Sequence, residues 1–201
     1  MNRKIFIDCG FFLGNAIKDF KSTTEYSPDF IYYGFDPIMN LEETKKKWPN
    51  VTLDNKAIWI NDGEIDFYTS NRHGGRANGA YHNKRASREK IMKVKCFDFS
   101  TWLKNNFDDN DYIILKMDIE GGEYEVVPKM IKDATIDLID LFYLEWHGSR
   151  MRDANNEKCI KIMGELKRDG LIIRKSIERH LLSLRRQAAR QKAKEAKEVK
   201  T

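Results

Sequence analysis

Short apolar segments that alternate with amphipathic segments are the feature that most constrains the fold of this chain. Residues 5–8 and 30–35 form the first two apolar segments, and apolar residues at helical spacing lie between them in residues 15–20. Buried strands that alternate with amphipathic helices are typical of βαβ units, in which helices cover a parallel sheet. The sequence therefore predicts an α/β domain with a mostly parallel central sheet and helices on both faces.

The same pattern continues along the rest of the chain. It predicts further strands at residues 51–59, 65–68, 94–97, 112–117, 138–146 and 171–174, and further helices at residues 41–47, 122–130 and 157–167. Ser100 is expected to cap another helix that contains Trp102 and Leu103, because a serine side chain can accept from a free backbone N–H. Residues 70–90 are polar and contain several glycines, which indicates a long loop.

The C-terminal residues differ in charge from the rest of the chain. The 201 residues carry 36 Lys and Arg against 31 Asp and Glu, a net charge of +5. Seven of these basic residues and two of the acidic ones lie in residues 185–201, so residues 1–184 are formally neutral. Apolar residues recur at helical spacing from Ile177 to Ala188. We expect one domain at residues 1–176, followed at residues 177–201 by a C-terminal helix that ends in a basic tail.

Composition excludes several classes of protein. A hydrophobic content of 41% argues against a disordered chain, and no run approaches the roughly 18 apolar residues of a membrane span. The first residues lack the apolar stretch of a signal peptide. The three cysteines are far apart, which argues against a disulfide framework and a zinc site. These features favour a cytoplasmic protein without a transmembrane segment.

A glycine turn follows the first predicted strand. It begins at Asp8 and contains Gly10 and Gly14, and a helix is expected directly after it. Glycines at such a turn let the backbone approach a ligand closely. The dinucleotide fingerprint has a glycine at the position of Asp8, and a carboxylate there suits a ligand with positive charge better than a diphosphate. A turn that serves only packing would account for the glycines equally well.

Asp36 stands at the end of the second predicted strand, directly before Pro37. In nucleotide-binding α/β folds an acidic residue at this place binds the hydroxyls of a ribose. A helix N-cap or a turn aspartate is the alternative. Together with the glycine turn, Asp36 favours an adenosine-containing ligand.

Charged residues also follow the apolar run at residues 112–117. Lys116, Asp118 and Glu120 stand at alternate positions, which places them on one side of an extended chain. His147 follows the next predicted strand. Open α/β sheets bind ligands at the carboxyl ends of their strands, so these side chains are candidate site residues.

Six segments of the sequence, taken in order, resemble the FkbM-type S-adenosylmethionine-dependent methyltransferases. The resemblance extends from about Ile5 to Arg174. The segments are FIDCGFFLG, YGFDP, NKAIW, CFDFSTWL, LKMDIEGGEYEV and LEWHG. The resemblance implies a class I (Rossmann-like) methyltransferase fold and an activity that O-methylates sugars or natural products.

The resemblance also implies roles for particular residues. The methionine part of S-adenosylmethionine would be held by Asp8, Gly10 and Gly14, the ribose by Asp36 beside Pro37, and the adenine by Ala57 and Ile58. The residues that would face the acceptor are Asp118, Glu120 and His147.

A hydroxyl acceptor benefits from a nearby base, and either Asp118 or His147 could serve. Glu120 and Lys116 would orient the acceptor or the carboxylate. A divalent ion held by Asp118, Glu120 and His147 is the less favoured interpretation, because the set lacks a recognised metal spacing. The acceptor is expected to be a glycan or another small hydroxylated molecule.

Two basic segments leave a second function open. The first, Arg72–Lys95, carries a local charge of +7, and the second is the tail Arg185–Lys200. The first segment is either a solvated loop or a lid that recruits an acidic acceptor. The tail is either a solvated helix or a contact for an anionic partner. The alternative to an active enzyme is therefore a methyltransferase-like module that binds RNA or a larger assembly through both segments.

Overall fold

The computed structural model describes residues 2–69, 78–80, 90–147, 161–162, 164–166 and 171–174. Its strands are β1 Lys4–Cys9, β2 Phe30–Phe35, β3 Val51–Asp54, β4 Ala57–Trp59, β5 Gly63–Thr69, β6 Lys90–Asp98, β7 Tyr112–Met117, β8 Leu141–Leu144 and β9 Ile172–Arg174. Its helices are α1 Asn15–Phe20, α2 Leu41–Lys47, α3 Phe99–Asn106 and α4 Glu123–Lys132, with a short 3-10 helix at Thr135–Leu138.

Six strands form one parallel sheet in the order β3-β2-β1-β7-β8-β9. The chain first builds outward from β1 to β3 and later builds outward on the other side from β7 to β9. This is the Rossmann-like order, and it creates a topological switch point between β1 and β7. The predicted α/β fold with a mostly parallel sheet is confirmed.

Helices cover both faces of this sheet because alternate side chains of each strand point to opposite sides. Ile5 and Ile7 of β1 belong to a core that includes side chains of α3 and α4. Phe6, between them in sequence, belongs to the opposite core and stacks on Phe20 of α1 at 4.4 Å between ring centroids. Both faces of β1 are therefore buried, as its continuous apolar run predicts.

The predicted strand at residues 51–59 is wrong as a single element. It is broken into β3, which pairs with β2, and β4, which belongs to a second sheet in the order β4-β6-β5. Lys56 forms an ion pair with Asp54 at the break, with 3.2 Å between Nζ and Oδ2. The predicted strand at residues 94–97 is the end of the longer β6, which pairs antiparallel with β5.

Two other local predictions are corrected. Asp98, and not Ser100, caps α3: its carboxylate accepts from the backbone N–H of Thr101 at 3.0 Å. Ser100 is buried, and its hydroxyl lies 2.8 Å from that of Thr135. The strand expected at residues 138–146 is the shorter β8, which follows the 3-10 helix.

Some predicted segments lie outside the described residues in whole or in part. The loop at residues 70–90 is described only at 78–80 and 90, and the helix at 157–167 is helical at its described positions 161–162 and 164–165. The C-terminal helix and the basic tail are not among the described residues. Within the described part of the chain, no helix combines the length and the apolar character that a membrane crossing requires.

Candidate functional site

The carboxyl ends of β1, β2 and β7 meet at the switch point of the parallel sheet. The strand register places Asp8 beside both Gly34 of β2 and Lys116 of β7. Asp36 and Asp118 directly follow β2 and β7. The sheet therefore brings together four charged residues that the sequence singled out, from three strands that are separated in the chain.

Lys116 is the central cation of this cluster. Its Nζ lies 3.0 Å from Oδ1 of Asp8 and 3.7 Å from Oδ2 of Asp118. It also donates to the carbonyl oxygen of Gly10 at 2.9 Å. Burial lowers the pKa of Lys116, but the carboxylates of Asp8 and Asp118 outweigh this effect and raise it above its ordinary value. Lys116 is therefore a fixed positive charge that ties β7 to the glycine turn.

Asp8 is fully buried beneath that turn. Burial raises its pKa, the Lys116 ammonium opposes the shift, and the result is a pKa of about 6. Oδ2 of Asp8 has no hydrogen-bond donor among the residues that the structure describes. Asp8 is thus a carboxylate whose charge depends on Lys116.

Asp36 accepts two backbone hydrogen bonds. Its Oδ2 accepts from Phe12 N–H at 2.9 Å and its Oδ1 from Ile38 N–H at 3.0 Å. Burial raises the pKa of Asp36, and the two N–H groups oppose that shift. The bond to Ile38 is that of a turn aspartate, and the bond to Phe12 holds the glycine turn against the end of β2. Each oxygen keeps a second lone pair for a ligand.

The two glycines of the turn are required by close packing. Gly10 has φ 81°, and a Cβ there would lie 1.9 Å from the carbonyl oxygen of Asp118. Gly14 has φ 71°, and a Cβ there would lie 2.6 Å from Trp48 and 2.7 Å from Phe11. The packing interpretation therefore accounts for both glycines, and their contact with a cofactor stays a prediction.

The residues expected around an adenine lie beside this edge. Pro37 is half-buried after Asp36, while Ala57 and Ile58 are buried in β4 of the second sheet. Ile58 packs in the core that contains Phe35, at the end of β2. Their adenine contacts also stay a prediction.

Glu123 organises the loop between β7 and α4, and it is the residue that the sequence analysis missed. This fully buried carboxylate accepts from Ile119 N–H at 2.9 Å and from Gly121 N–H at 2.8 Å. Both bonds run backward from the first turn of α4, as in a capping arrangement. The spacing Glu120-Gly121-Gly122-Glu123 was the available signal, since a glutamate that opens a helix after two glycines can satisfy free N–H groups.

His147 lies against Glu123 after β8. Its Nδ1 is 3.0 Å from Oε1 of Glu123, and its side chain is only 2% exposed. Its Nε2 faces Oδ1 of Asp118 at 3.5 Å and Oε2 of Glu120 at 3.7 Å. Burial lowers the pKa of His147, but the hydrogen bond with Glu123 and the other carboxylates outweigh it and raise the pKa to about 9.

A short strap reaches this cluster from the second sheet. Gly79 and Tyr68 exchange two backbone hydrogen bonds of 2.8 and 3.0 Å. A Cβ at Gly79 would lie 2.3 Å from the carbonyl oxygen of Glu120. The backbone of Glu120 is left-handed, with φ 50°. The segment at Gly79, which pairs with Tyr68 of the second sheet, thus lies against the backbone of Glu120.

Comparison with known proteins gives a family. One family model matches residues 60–177, more than half of the chain. The chain belongs to DUF7870. The description of DUF7870 is a domain of unknown function. The match includes the cluster around Lys116 and His147 but begins after Asp8 and Asp36. No curated protein matches the chain.

A solved structure also matches this DUF7870 member. It is a crystal structure of methyltransferase FkbM from Methylobacillus flagellatus KT, with 14% sequence identity and a TM-score of 0.39. The match covers 67% of this chain and 30% of that chain. At this distance it carries no argument about activity, so membership of the FkbM-type family stays a prediction.

The site of this DUF7870 chain carries an excess of negative charge. Its carboxylates are Asp8, Asp36, Asp118, Glu120 and Glu123, and its cations are Lys116 and His147. Ionised together, they leave about three negative charges at one edge of the sheet. Such an edge attracts a cationic ligand and repels a phosphate.

Proposed function

We propose that this protein is an S-adenosylmethionine-dependent methyltransferase that O-methylates a sugar or another small hydroxylated acceptor. The observation that carries the proposal is the acidic edge at the switch point of a Rossmann-like sheet. S-adenosylmethionine has an adenosine for the nucleotide side of such a sheet, and its sulfonium and amino groups are positively charged. A dinucleotide would instead bring a diphosphate to Asp8.

The cofactor would lie across the ends of β1 and β2. Asp36 has the free lone pairs to accept from the ribose hydroxyls, and Ala57 and Ile58 offer an apolar boundary for the adenine. The turn from Gly10 to Gly14 would adjoin the methionine part. Asp8 is fully buried and paired with Lys116, so it would act through the charge and position of Lys116.

The acceptor would lie beyond the methionine part, next to Asp118. Methyl transfer is an in-line displacement, so its rate depends on the alignment of the acceptor oxygen with the methyl group. Asp118 is 30% exposed, whereas His147 is 2% exposed, so Asp118 is the more accessible of the two candidate bases. His147, Glu120 and Lys116 surround Asp118 and would fix its position.

Labelled S-adenosylmethionine tests the proposal directly. The purified full chain is incubated with the labelled cofactor and a panel of glycans and small hydroxylated molecules, and transfer of label is counted. Asp36→Ala should weaken cofactor binding at least 10-fold, because a polar group that binds a hydroxyl is removed. Asp118→Asn should lower the transfer rate at least 100-fold while cofactor binding is retained.

Asp66→Asn is the matched control for both variants. Asp66 is an exposed carboxylate on β5 that pairs with Lys93, away from the parallel sheet. It should leave binding and transfer unchanged. Cofactor binding that is equal in wild type and Asp36→Ala would contradict the assignment of the ribose site, and transfer that survives in Asp118→Asn would contradict the role of Asp118.

The alternative, a module that binds RNA or a larger assembly through the two basic segments Arg72–Lys95 and Arg185–Lys200, stays a prediction. At the described end of the first segment, residues 90–95, two of the three lysines stand opposite acidic residues of β5. Lys93 pairs with Asp66 at 2.7 Å, and Lys95 stands opposite Glu64 in the β5–β6 register. Salt-sensitive RNA binding that is lost on deletion of residues 185–201 would favour the module.

A further inference from the structure

The second half of the site has the composition of a metal centre. One oxygen each of Asp118 and Glu123 and one nitrogen of His147 lie within 4.8 Å of one another. Glu123 is already engaged by two backbone N–H groups. Glu120, on the other side of the imidazole, presents Oε2 at 3.7 Å from Nε2. We propose that His147 Nε2, Asp118 and Glu120 bind a divalent transition-metal ion, with Glu123 behind them.

The two distances from the imidazole nitrogen fit ligands that share one ion. A zinc ion binds histidine nitrogen and carboxylate oxygen at about 2.1 Å, which in tetrahedral geometry places two ligand atoms about 3.4 Å apart. Nε2 of His147 lies 3.5 Å from Oδ1 of Asp118 and 3.7 Å from Oε2 of Glu120. Both separations are longer than the roughly 2.7–3.2 Å that is typical of N–H···O hydrogen bonds in proteins.

The orientation of the imidazole supports the same assignment. Histidines that bind metals generally donate their other ring N–H to a carboxylate, which fixes the tautomer and the ring plane. The 3.0 Å contact between Nδ1 of His147 and Glu123 supplies that partner. It leaves Nε2 directed at Asp118 and Glu120, where the ion would lie.

The charges of the ligands favour a divalent cation. Lys116 is held mainly by Asp8, at 3.0 Å, and lies farther from Asp118, at 3.7 Å. One imidazole nitrogen with carboxylate oxygens suits zinc or manganese, whereas magnesium and calcium prefer oxygen ligands alone.

The ion would also bear on the acceptor. Because Asp118 is partly exposed, one coordination position would face the space assigned to the acceptor hydroxyl, whose pKa the ion would lower. Asp118 would then be a ligand rather than the proton acceptor. This consequence rests on the proposed function, but the binding of the ion does not.

Calorimetric titration of the chelator-treated full chain with zinc alone tests the site. We expect one ion per chain with a Kd of about 10 µM or tighter, and weaker binding of magnesium. Asp118→Asn and His147→Ala should each weaken zinc binding at least 100-fold. Glu123→Gln should weaken it about 10-fold to 100-fold, as expected for a group behind a ligand.

Asp66→Asn is the matched control for Asp118→Asn, because it makes the same change at an exposed carboxylate on β5 that pairs with Lys93, away from the parallel sheet, and it should leave zinc binding unchanged. If His147→Ala fails to fold, Asp118→Asn decides alone, since it replaces a partly exposed side chain of nearly equal volume. Zinc binding that is absent in wild type, or unchanged in Asp118→Asn, would overturn the metal site.

The titration also separates the two proposals. Cofactor binding is measured on the same protein without added metal. Loss of zinc binding with intact cofactor binding overturns the metal site alone. Normal zinc binding without any cofactor binding overturns the proposed function and leaves the metal site supported.

Discussion

Glu123 provides the most direct test of how the site is built, because one buried carboxylate supports both the β7–α4 loop and His147. The informative change is Glu123→Gln, which keeps the shape of the side chain but removes its charge and one acceptor. In the native protein, Oε1 accepts from Ile119 N–H and faces Nδ1 of His147, while Oε2 accepts from Gly121 N–H.

The magnitude follows from these three contacts. If the amide oxygen of Gln takes the place of Oε1, its NH2 group faces the N–H of Gly121, and one buried donor loses its acceptor. That loss costs about 1–3 kcal/mol. The charge-assisted bond with His147 also weakens, so we expect a total loss of about 2–4 kcal/mol in the free energy of unfolding. Glu123→Ala removes all three acceptor contacts and should cost more.

Urea unfolding monitored by circular dichroism measures this loss. Glu42→Gln is the matched control, because Glu42 also lies in the first turn of a helix but is exposed. The control should change stability by less than about 0.5 kcal/mol. If Glu123→Gln is no more destabilising than Glu42→Gln, Glu123 does not support the loop as inferred from its contacts. As a second readout, the pKa of His147 in the metal-free protein should fall from about 9, since Glu123 is the carboxylate bonded to it.

Further predictions concern the turn and a peripheral ion pair. Gly10→Ala should destabilise the fold by about 3 kcal/mol or more, because the strain of a positive φ adds to the clash of a Cβ 1.9 Å from the Asp118 carbonyl oxygen. Gly63 also has a positive φ but open space around it, so Gly63→Ala should cost clearly less in the same unfolding assay. Equal costs would contradict the close approach at Gly10. Arg3 lowers the pKa of Asp111, so their pair should stabilise the protein above pH 4 and this contribution should disappear as the pH falls through the lowered pKa. Asp111→Asn should therefore lower the free energy of unfolding at pH 7, and this cost should shrink as the pH falls through the lowered pKa of Asp111, whereas a cost that stays the same in acid would contradict the pairing.

The parallel sheet could be predicted from the sequence because strands that are buried on both faces form continuous apolar runs. An apolar run such as residues 112–117 leaves few alternatives when amphipathic segments stand on either side. The division of residues 51–59 between two sheets could not be predicted in this way. β4 belongs to the second sheet because Ala57 pairs with Cys96, and a pairing across that many residues leaves no local signal in either segment.

The sequence singled out Lys116, Asp118 and Glu120 from alternate positions on an extended chain, but only Lys116 lies in β7. Asp118 and Glu120 follow the end of the strand, and Glu120 has φ 50°, so the extended spacing is wrong beyond Met117. Ion-pair distances nevertheless link Asp118 to Lys116 and both acidic residues to His147, and their catalytic roles stay predictions. The pairing of Lys116 with Asp8 depends on the register between β1 and β7. Glu123 was missed because its role arises from the left-handed backbone of the preceding loop, which turns two N–H groups toward it.

Calorimetric titration of the full chain with S-adenosylmethionine measures whether the acidic edge binds this cofactor. We expect one cofactor per chain, binding that is weakened at least 10-fold by Asp36→Ala, and normal binding in Asp66→Asn. S-adenosylhomocysteine lacks the sulfonium charge. It should bind less tightly, because the negative charge of the acidic residues is then less well balanced. Absence of saturable binding, or binding that Asp36→Ala leaves unchanged, would contradict a cofactor site at the acidic edge.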